Sequence, residues 1–155
     1  MYLSHTLSRF LGTRSIDYQT IEHRHTMTTN QTASSAHVPR NRLAKGVLFG
    51  DDQRYVLAII PATGRVDIDA LGELLGSKEV VLAGEDEIAM MFPDCELGAI
   101  PVVGAAYGVD MVVDASLLVQ PEVYFESGDH EHLVHLSGPN FRKMMLGATK
   151  GLITN

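Results

Sequence analysis

Leu43-Ala44-Lys45-Gly46-Val47-Leu48-Phe49, followed across Gly50-Asp51-Asp52 by Tyr55-Val56-Leu57-Ala58-Ile59-Ile60, is the stretch that decides the fold. Two β-rich runs separated by turn formers predict a hairpin, and Pro61 ends its second strand. Downstream, Val66 to Leu75 carries Ile68, Leu71, Leu74 and Leu75 on one helical face, with Asp67 as its cap. Glu79 to Leu82 reads as a short strand and Glu85 to Met91 as a helix that Phe92-Pro93-Asp94 breaks. Met111 to Val113, Glu122 to Glu126 and Leu133 to Leu136 are further strands, and Ser137 caps a helix to Met145. Upstream, Ser4 to Leu11 is an amphipathic helix stopped at Gly12, Tyr18 to Glu22 an edge strand, and Thr28 to Val38 a second helix. The tail from Gly147 reads as loose.

Strands thus occur both as hairpins and separated by helices. The expected fold class is α/β (α+β), a mixed β-sheet with surrounding helices, organised as one domain over residues 1–155 with its core at about 20–145. At 155 residues the chain has room for one ordinary core and none for two catalytic domains. No repeat, low-complexity run or linker divides it.

Lys and Arg total 12 against 19 Asp and Glu, a net charge of −7 that argues against a broad basic surface gripping a duplex. The charge is unevenly spread. In residues 1–50, Arg9, Arg14, Arg24, Arg40, Arg42 and Lys45 meet only Asp17 and Glu22, a surplus of +4, which leaves −11 for residues 51–155. Such a split reads either as a small positive region presented to an anionic ligand or as chance clustering on a solvated surface. One cysteine, Cys95, closes no intrachain disulfide, and the chain opens without a secretory leader pattern; a cytoplasmic setting is expected. The most apolar stretch, Gly98 to Val119, is interrupted by Pro101, Asp110 and Asp114, so no membrane span is expected.

Familiar catalytic signatures are missing. There is no Gly-x-Ser-x-Gly elbow, phosphate-binding loop or dinucleotide fingerprint. Cys95 sits between Asp94 and Glu96, neighbours that disfavour a thiolate. His130, His132 and His135 suggest a metal site, but in an extended segment the first two point one way and the third the other, so three ligands on one ion would need a bend. No metal and no cofactor are assigned. Lys45 stands out as a long cation in an otherwise apolar strand, obliged to snorkel to solvent or to meet an anion. Cys95-Glu96-Leu97-Gly98-Ala99-Ile100-Pro101-Val102-Val103-Gly104 also stands out: its glycines and proline forbid a long regular element, yet its side chains are mostly apolar, as in a buried or pocket-lining loop.

Taken in order, several of these segments resemble the YbaK/ProX family, freestanding aminoacyl-tRNA deacylases related to the editing insertion of bacterial prolyl-tRNA synthetases. The resemblance runs from about Thr20 to Met145. Its carriers are His25-Thr26 leading into the helix at Ala33 to Ala36, Leu43-Ala44-Lys45-Gly46-Val47, Val56 to Pro61, Glu96-Leu97-Gly98-Ala99-Ile100-Pro101 and Tyr124-Phe125-Glu126-Ser127-Gly128-Asp129-His130. The resemblance implies a pocket for the aminoacylated 3′ end of tRNA. It places the family's essential lysine at Lys45, its substrate loop at Gly98, Ala99, Ile100, Pro101 and Val102, and further substrate contacts at Gly128 and His130. The family loop commonly runs Gly, three residues, Pro; here Val102 takes the fifth place and Pro101 comes one residue early.

The implied reaction is hydrolysis of the ester of a mischarged tRNA in trans, of the prolyl-tRNA-editing type, with a small amino acid such as alanine or cysteine. Such an ester is already activated, so holding it, stabilising oxyanion charge and admitting water suffice. Lys45 would pair with the terminal phosphate or fix the aminoacyl-adenosine, backbone N–H groups around Gly98 to Ile100 would bond the acyl carbonyl, and Ile100, Val102 and Val103 would line the second sieve. The partners implied are the acceptor end of aminoacyl-tRNA and, as a further candidate, a synthetase. The altered loop at Val102 motivates an alternative, a noncatalytic aminoacyl-tRNA or synthetase-binding module of the same fold.

Overall fold

The computed structural model describes residues 3–155. In chain order the elements are α1 (His5–Thr13), β1 (Gln19–Glu22), α2 (Thr29–Ala36), β2 (Leu43–Gly50), β3 (Tyr55–Pro61), α3 (Ile68–Leu75), β4 (Val81–Leu82), α4 (Glu85–Met91), β5 (Asp110–Asp114), α5 (Ala115–Leu118), β6 (Glu122–Glu126), β7 (His132–Ser137), α6 (Gly138–Met144) and β8 (Thr149–Gly151). Short 3₁₀ turns at Arg40–Arg42 and Gly104–Tyr107 complete the path. The strands form one mixed eight-stranded sheet in the order β1-β7-β6-β2-β3-β5-β8, with β4 paired to the far end of β2.

The hairpin forms as its sequence dictates. β2 and β3 are antiparallel, with Lys45 opposite Ile60 and Gly50 opposite Tyr55. Asp51 accepts the N–H groups of Gln53 at 2.8 Å and Arg54 at 2.9 Å, an Asx turn that fixes the reversal. Helix ends follow the same local rules: Ser4, Thr28, Asp67 and Ser137 each accept a backbone N–H three residues on. α1 passes through Gly12 to Thr13 rather than stopping there, and Ser15 turns left-handed beyond it. The edge strand β1 and the strands β5, β6 and β7 lie where the sequence indicates, while β4 keeps only the last two residues of its expected run.

The two faces of the sheet differ. One face is continuous: Ala44 and Leu48 of β2, Leu57 and Ile59 of β3, Val113 of β5, Phe125 of β6 and Val134 of β7 pack with Leu7, Leu11, Phe141 and the loop residues Ile100, Val102 and Val103. The opposite face is apolar in two patches. Leu43 and Leu133 lie with Ala33 and Val38 under α2, and Phe49, Ala58 and Ile60 lie with Leu71 and Ile153 under α3. By strand alternation Lys45 projects from β2 on this second face, between Leu43 in one patch and Phe49 in the other. Among the described residues no helix is long and apolar enough to cross a membrane.

One expectation is corrected. The tail beyond Gly147 is not loose: β8 extends the sheet in parallel beside β5, and Val66 bridges Thr154. Asp114, 1% exposed, accepts the N–H of Ile153 at 2.8 Å and the hydroxyl of Thr154 at 3.3 Å, and Ile153 is fully buried. The segment carries few apolar residues, so its anchoring comes from a buried carboxylate that sequence periodicity does not register. With Leu7 and Leu11 also fully buried, the core extends beyond residues 20–145 at both ends. Hydrogen bonds to a charged group contribute about 1.5–3 kcal/mol each. Asp114→Ala should therefore cost about 3 kcal/mol in urea titrations and abolish hydrogen-exchange protection at the Ile153 amide; unchanged protection there would show that β8 is held by other contacts.

Candidate functional site

β2 and β6 pair in parallel only at Leu43↔Tyr124 and Ala44↔Phe125. Lys45 and Glu126 are the next residue on each strand, and beyond them the ladder ends. Leu43 and Tyr124 share one apolar patch, so by alternation Lys45 and Glu126 both project onto that face at the point where the strands part. The two make no ion pair with each other; the charged neighbour recorded for Glu126 is His23, at 4.0 Å.

Lys45 is half-buried and has no carboxylate partner among the described residues. Its burial, followed by the neighbouring Arg65 and Arg40 guanidinium groups, lowers its pKa from the ordinary lysine value. Arg40 and Arg65 are brought beside it by the hairpin: the turn at Arg40–Arg42 leads into β2, and Ala62 at the end of β3 donates its N–H to Leu43 at 2.8 Å. Both are exposed and neither forms an ion pair among the described residues, so three cations gather here without neutralisation, a ready seat for an anion.

The β6–β7 connection forms a second wall. Asp129 closes it by accepting the N–H groups of Glu131 and His132, both at 2.9 Å, and by contacting the His132 ring at 2.7 Å. Burial opposes the Asp129 charge, yet these donors hold its carboxyl below the ordinary range. The turn places His130 in a left-handed conformation at φ 62°. Its buried ring donates from Nε2 to the Leu97 carbonyl at 2.5 Å, which pins the 96–100 loop. Gly98, at φ 82°, lies so close that a Cβ there would stand 3.1 Å from His130 Cε1. Gly128, at φ 122°, accepts the Glu96 N–H at 2.8 Å and leaves room for Cys95 Sγ. Glycine is required at both positions by conformation and by contact. His25, whose Nε2 lies 3.8 Å from Glu96, packs its ring 5.5 Å from that of His130.

Within this loop Ala99 spends its N–H on the Glu96 carbonyl at 3.1 Å, whereas Gly98 and Ile100 engage theirs with no described residue. The side chains of Ala99, Ile100 and Val102 are buried, and Ile100, Val102 and Val103 pack into the continuous core on the face opposite Lys45; Pro101 is buried beside them. The structure thus joins Gly98, Gly128 and His130 directly, places Lys45 across the strand split, and gives Ile100 and Val102 to the core.

Between the two walls lies a buried acid. The Glu126 side chain is 9% exposed, and neither of its oxygens has a hydrogen-bond partner. Burial pushes its carboxyl up to about 7 against the opposing pull of the Thr32 hydroxyl, and the Asp129 and Glu96 charges add to the rise. His23 Nε2, completely buried and also unpartnered, stands 4.0 Å away. His23 Nδ1 lies 2.7 Å from the Arg24 carbonyl and is therefore a donor nitrogen, so Nε2 is the ring atom turned toward Glu126.

Other readings resolve clearly. His132 and His135 take opposite faces of β7, His135 stacking on Tyr124, and the described residues include no group of three His, Cys, Asp or Glu placed to hold a metal ion. Cys95 has its thiol pushed up to about 11, chiefly by burial and further by Asp94, so it is inert as a nucleophile. A groove of about 460 Å3 lined by Gly50, Arg54, Tyr55 and Glu87 sits at the opposite end of β2 from Lys45 and lacks the features just described.

The model of the aminoacyl-tRNA editing domain family matches residues 23–144. The chain belongs to this family. No curated protein sequence matches it. Among solved structures, a hypothetical protein is 22% identical with a TM-score of 0.86, over 97% of this chain and 100% of its own. A candidate trans-editing enzyme for prolyl tRNA synthetase is 19% identical with a TM-score of 0.86, over 98% of this chain and 96% of its own. A candidate signal transduction protein from Marinobacter aquaeolei is 19% identical with a TM-score of 0.78, and this chain covers 30% of it. At such identities these likenesses concern the fold.

In the editing domain, sequence reasoning singled out Lys45, Gly98, Gly128 and His130, weighed His23 only as a metal ligand, and passed over Arg65 and the charge state of Glu126. The only signal for Glu126 was an acid ending an apolar strand, in phase with Glu122 and Tyr124, a pattern that reads as a solvent face until α2 is seen to cover it.

Two measurements probe this geometry. Gly98→Ala should lose about 1–2 kcal/mol, from the left-handed backbone, and detach the His130 ring from Leu97, visible as a shifted imidazole resonance; an unmoved resonance would show that the ring is held independently. For Glu126, the unfolded carboxyl protonates near 4.5 and the folded one near 7, so the folded state binds the proton more tightly in between. That stabilisation is complete below about 4.5 and lost as pH rises through about 7, a swing of about 3 kcal/mol. Urea midpoints near pH 5 and near pH 8 should differ more for the wild type than for Glu126→Gln; equal differences would refute the buried acid.

Proposed function

We propose that this protein is a cytoplasmic trans-editing aminoacyl-tRNA deacylase that hydrolyses the ester of a mischarged small amino acid, alanine or cysteine, in the prolyl-tRNA-editing manner. The observation that carries this reading is Lys45, a half-buried ammonium without a carboxylate partner among the described residues, set between Arg40 and Arg65 in an editing-domain fold. Lys45 is the residue proposed to hold the terminal phosphate or the aminoacyl-adenosine, a point-charge task suited to an ammonium. The unused N–H groups of Gly98 and Ile100 are proposed donors to the acyl carbonyl, where charge develops during attack by water. His130 and Gly128 are proposed to hold that loop in place rather than to carry a proton, because the His130 ring is spent on Leu97.

No protein nucleophile is invoked. The ester is reactive enough that positioning, oxyanion stabilisation and a water activated by the substrate's own ribose hydroxyl complete the reaction. The proposed domain comprises residues 1–155, since α1 and β8 close its core.

A panel of mischarged tRNAs tests the reading. Release of alanine or cysteine should fall roughly 10- to 150-fold in kcat/KM for Lys45→Ala, the loss expected for one charge-assisted contact made in the transition state. The wild-type rate should depend only shallowly on salt, about −0.7 in log–log slope per single-strand phosphate contact. No Lys45-dependent release of any amino acid would leave the noncatalytic binding module as the reading.

A further inference from the structure

Two opposite charges share one face at the parting of β2 and β6, yet do not neutralise each other. Lys45 is drawn into the company of Arg40 and Arg65, and Glu126 into that of His23, Asp129 and Glu96. Leaving either group buried and unpaired is costly, and pairing two such neighbours is the usual remedy. Their separation leaves a site with a positive and a negative pole.

The negative pole is made of acceptors. Glu126 holds two buried carboxyl oxygens that meet no donor at hydrogen-bond distance, and His23 Nε2 stands 4.0 Å from one of them. The Thr32 hydroxyl opposes the effect of burial on the acid without outweighing it, and it is shared with other partners: Thr26 Oγ1 lies 2.6 Å from Thr32 Oγ1, and Thr32 donates to the Thr28 carbonyl at 3.1 Å. A ligand group that completes this arrangement must bring several donors, no acceptor and positive charge. An ammonium does all three. The aminoacyl ester of a nucleotide carries one at its α-carbon, and a phosphate at its other end.

We propose that Glu126, with His23 behind it, is the subsite for the α-ammonium group of the aminoacyl moiety. This assignment rests on the editing reading above. It makes Glu126 a substrate-binding residue and divides the labour of the site: Lys45 and its arginine neighbours take the phosphate, Glu126 and His23 the amine. Ligand entry replaces the proton on Glu126 by the substrate ammonium, and since the carboxyl titrates at about 7, binding at pH 7 expels about half a proton per ligand. The groups facing that event are His23 from the segment after β1, Asp129 from the β6–β7 turn and Glu96 from the loop.

The test uses two non-hydrolysable probes, the alanyl amide of 3′-amino-3′-deoxyadenosine 5′-phosphate and its propionyl counterpart, which lacks only the amine. Calorimetry on the full chain should give the alanyl probe a roughly 10- to 100-fold lower Kd. Its binding at pH 7 should release about half a proton, read as a dependence of the heat on buffer ionisation, and the propionyl probe should release none. Glu126→Gln should erase the preference and the proton release while leaving propionyl binding in place, and Glu126→Asp, which keeps the charge, should restore part of both. Equal affinity of the two probes for the wild type, or a preference that survives in Glu126→Gln, overturns the subsite while leaving the editing reading intact. Failure of the wild type to bind either probe overturns the subsite together with that reading. Should Glu126→Gln not fold, the wild-type comparison decides alone.

Discussion

The constraint on which the site depends is the early end of the β2–β6 ladder. Parallel pairing stops after Ala44↔Phe125, and the residues that follow face a gap where a neighbouring strand would otherwise lie. A continuous ladder would have pressed Lys45 and Glu126 side by side, where a mutual ion pair would be the lowest-energy arrangement. The split keeps them on one face yet apart. The penalty for two poorly solvated charges falls on a fold that sustains it through the opposite face, where the apolar core runs without interruption from Leu7 and Leu11 through the sheet to Phe141. The two-patch character of the second face is the visible trace of that compromise: apolar packing under α2 and under α3, with charge between.

The loop and the hairpin tip are rigid for a related reason. His130 and Gly98 both adopt left-handed backbone conformations and meet at 3.1 Å from a notional Cβ, so neither can move without the other. The His130 ring is fixed by the Leu97 carbonyl, and the Glu96 N–H by the Gly128 carbonyl, which joins the two segments on both sides of Gly98. Burial of Ile100, Val102 and Val103 anchors the loop from beneath. Val102, at the fifth position of the loop, packs in the core.

Elements whose identity rests on local periodicity and capping were legible in the sequence. The hairpin of β2 and β3, the caps at Ser4, Asp67 and Ser137, and the strands β5 to β7 follow from residues within a few positions of one another. What depends on distant contacts was not. The C-terminal tail looks loose because its docking is governed by Asp114, some forty residues earlier. Glu126 looks solvent-facing because alternation cannot show that α2 and the segment from His23 cover that face. The loop Cys95 to Gly104 was recognisable as buried or pocket-lining, but only the fold tells which of its groups point inward: Ile100 and Val102 belong to the core, and the backbone of Gly98 to the site. Lys45 was conspicuous because a lone cation in an apolar strand is costly, although its arginine company includes Arg65 from beyond the positively charged first third.

The charge distribution takes on a different meaning once the poles are located. The surplus of +4 in residues 1–50 is not a single patch: Arg42 is paired with Glu122, and Arg14 lies over Phe10. Only Arg40 and Lys45 of that set join Arg65 at the strand split. Across the split Glu126 keeps company with Glu96 and Asp129, a cluster that would repel a polyanion lying along it. A long nucleic-acid strand is therefore disfavoured, whereas a terminus that carries one phosphate group at one end and an ammonium at the other is matched in both sign and order. The net charge of −7 is then part of the selectivity, since it restricts the proposed contact with tRNA to the tip where the amino acid is attached.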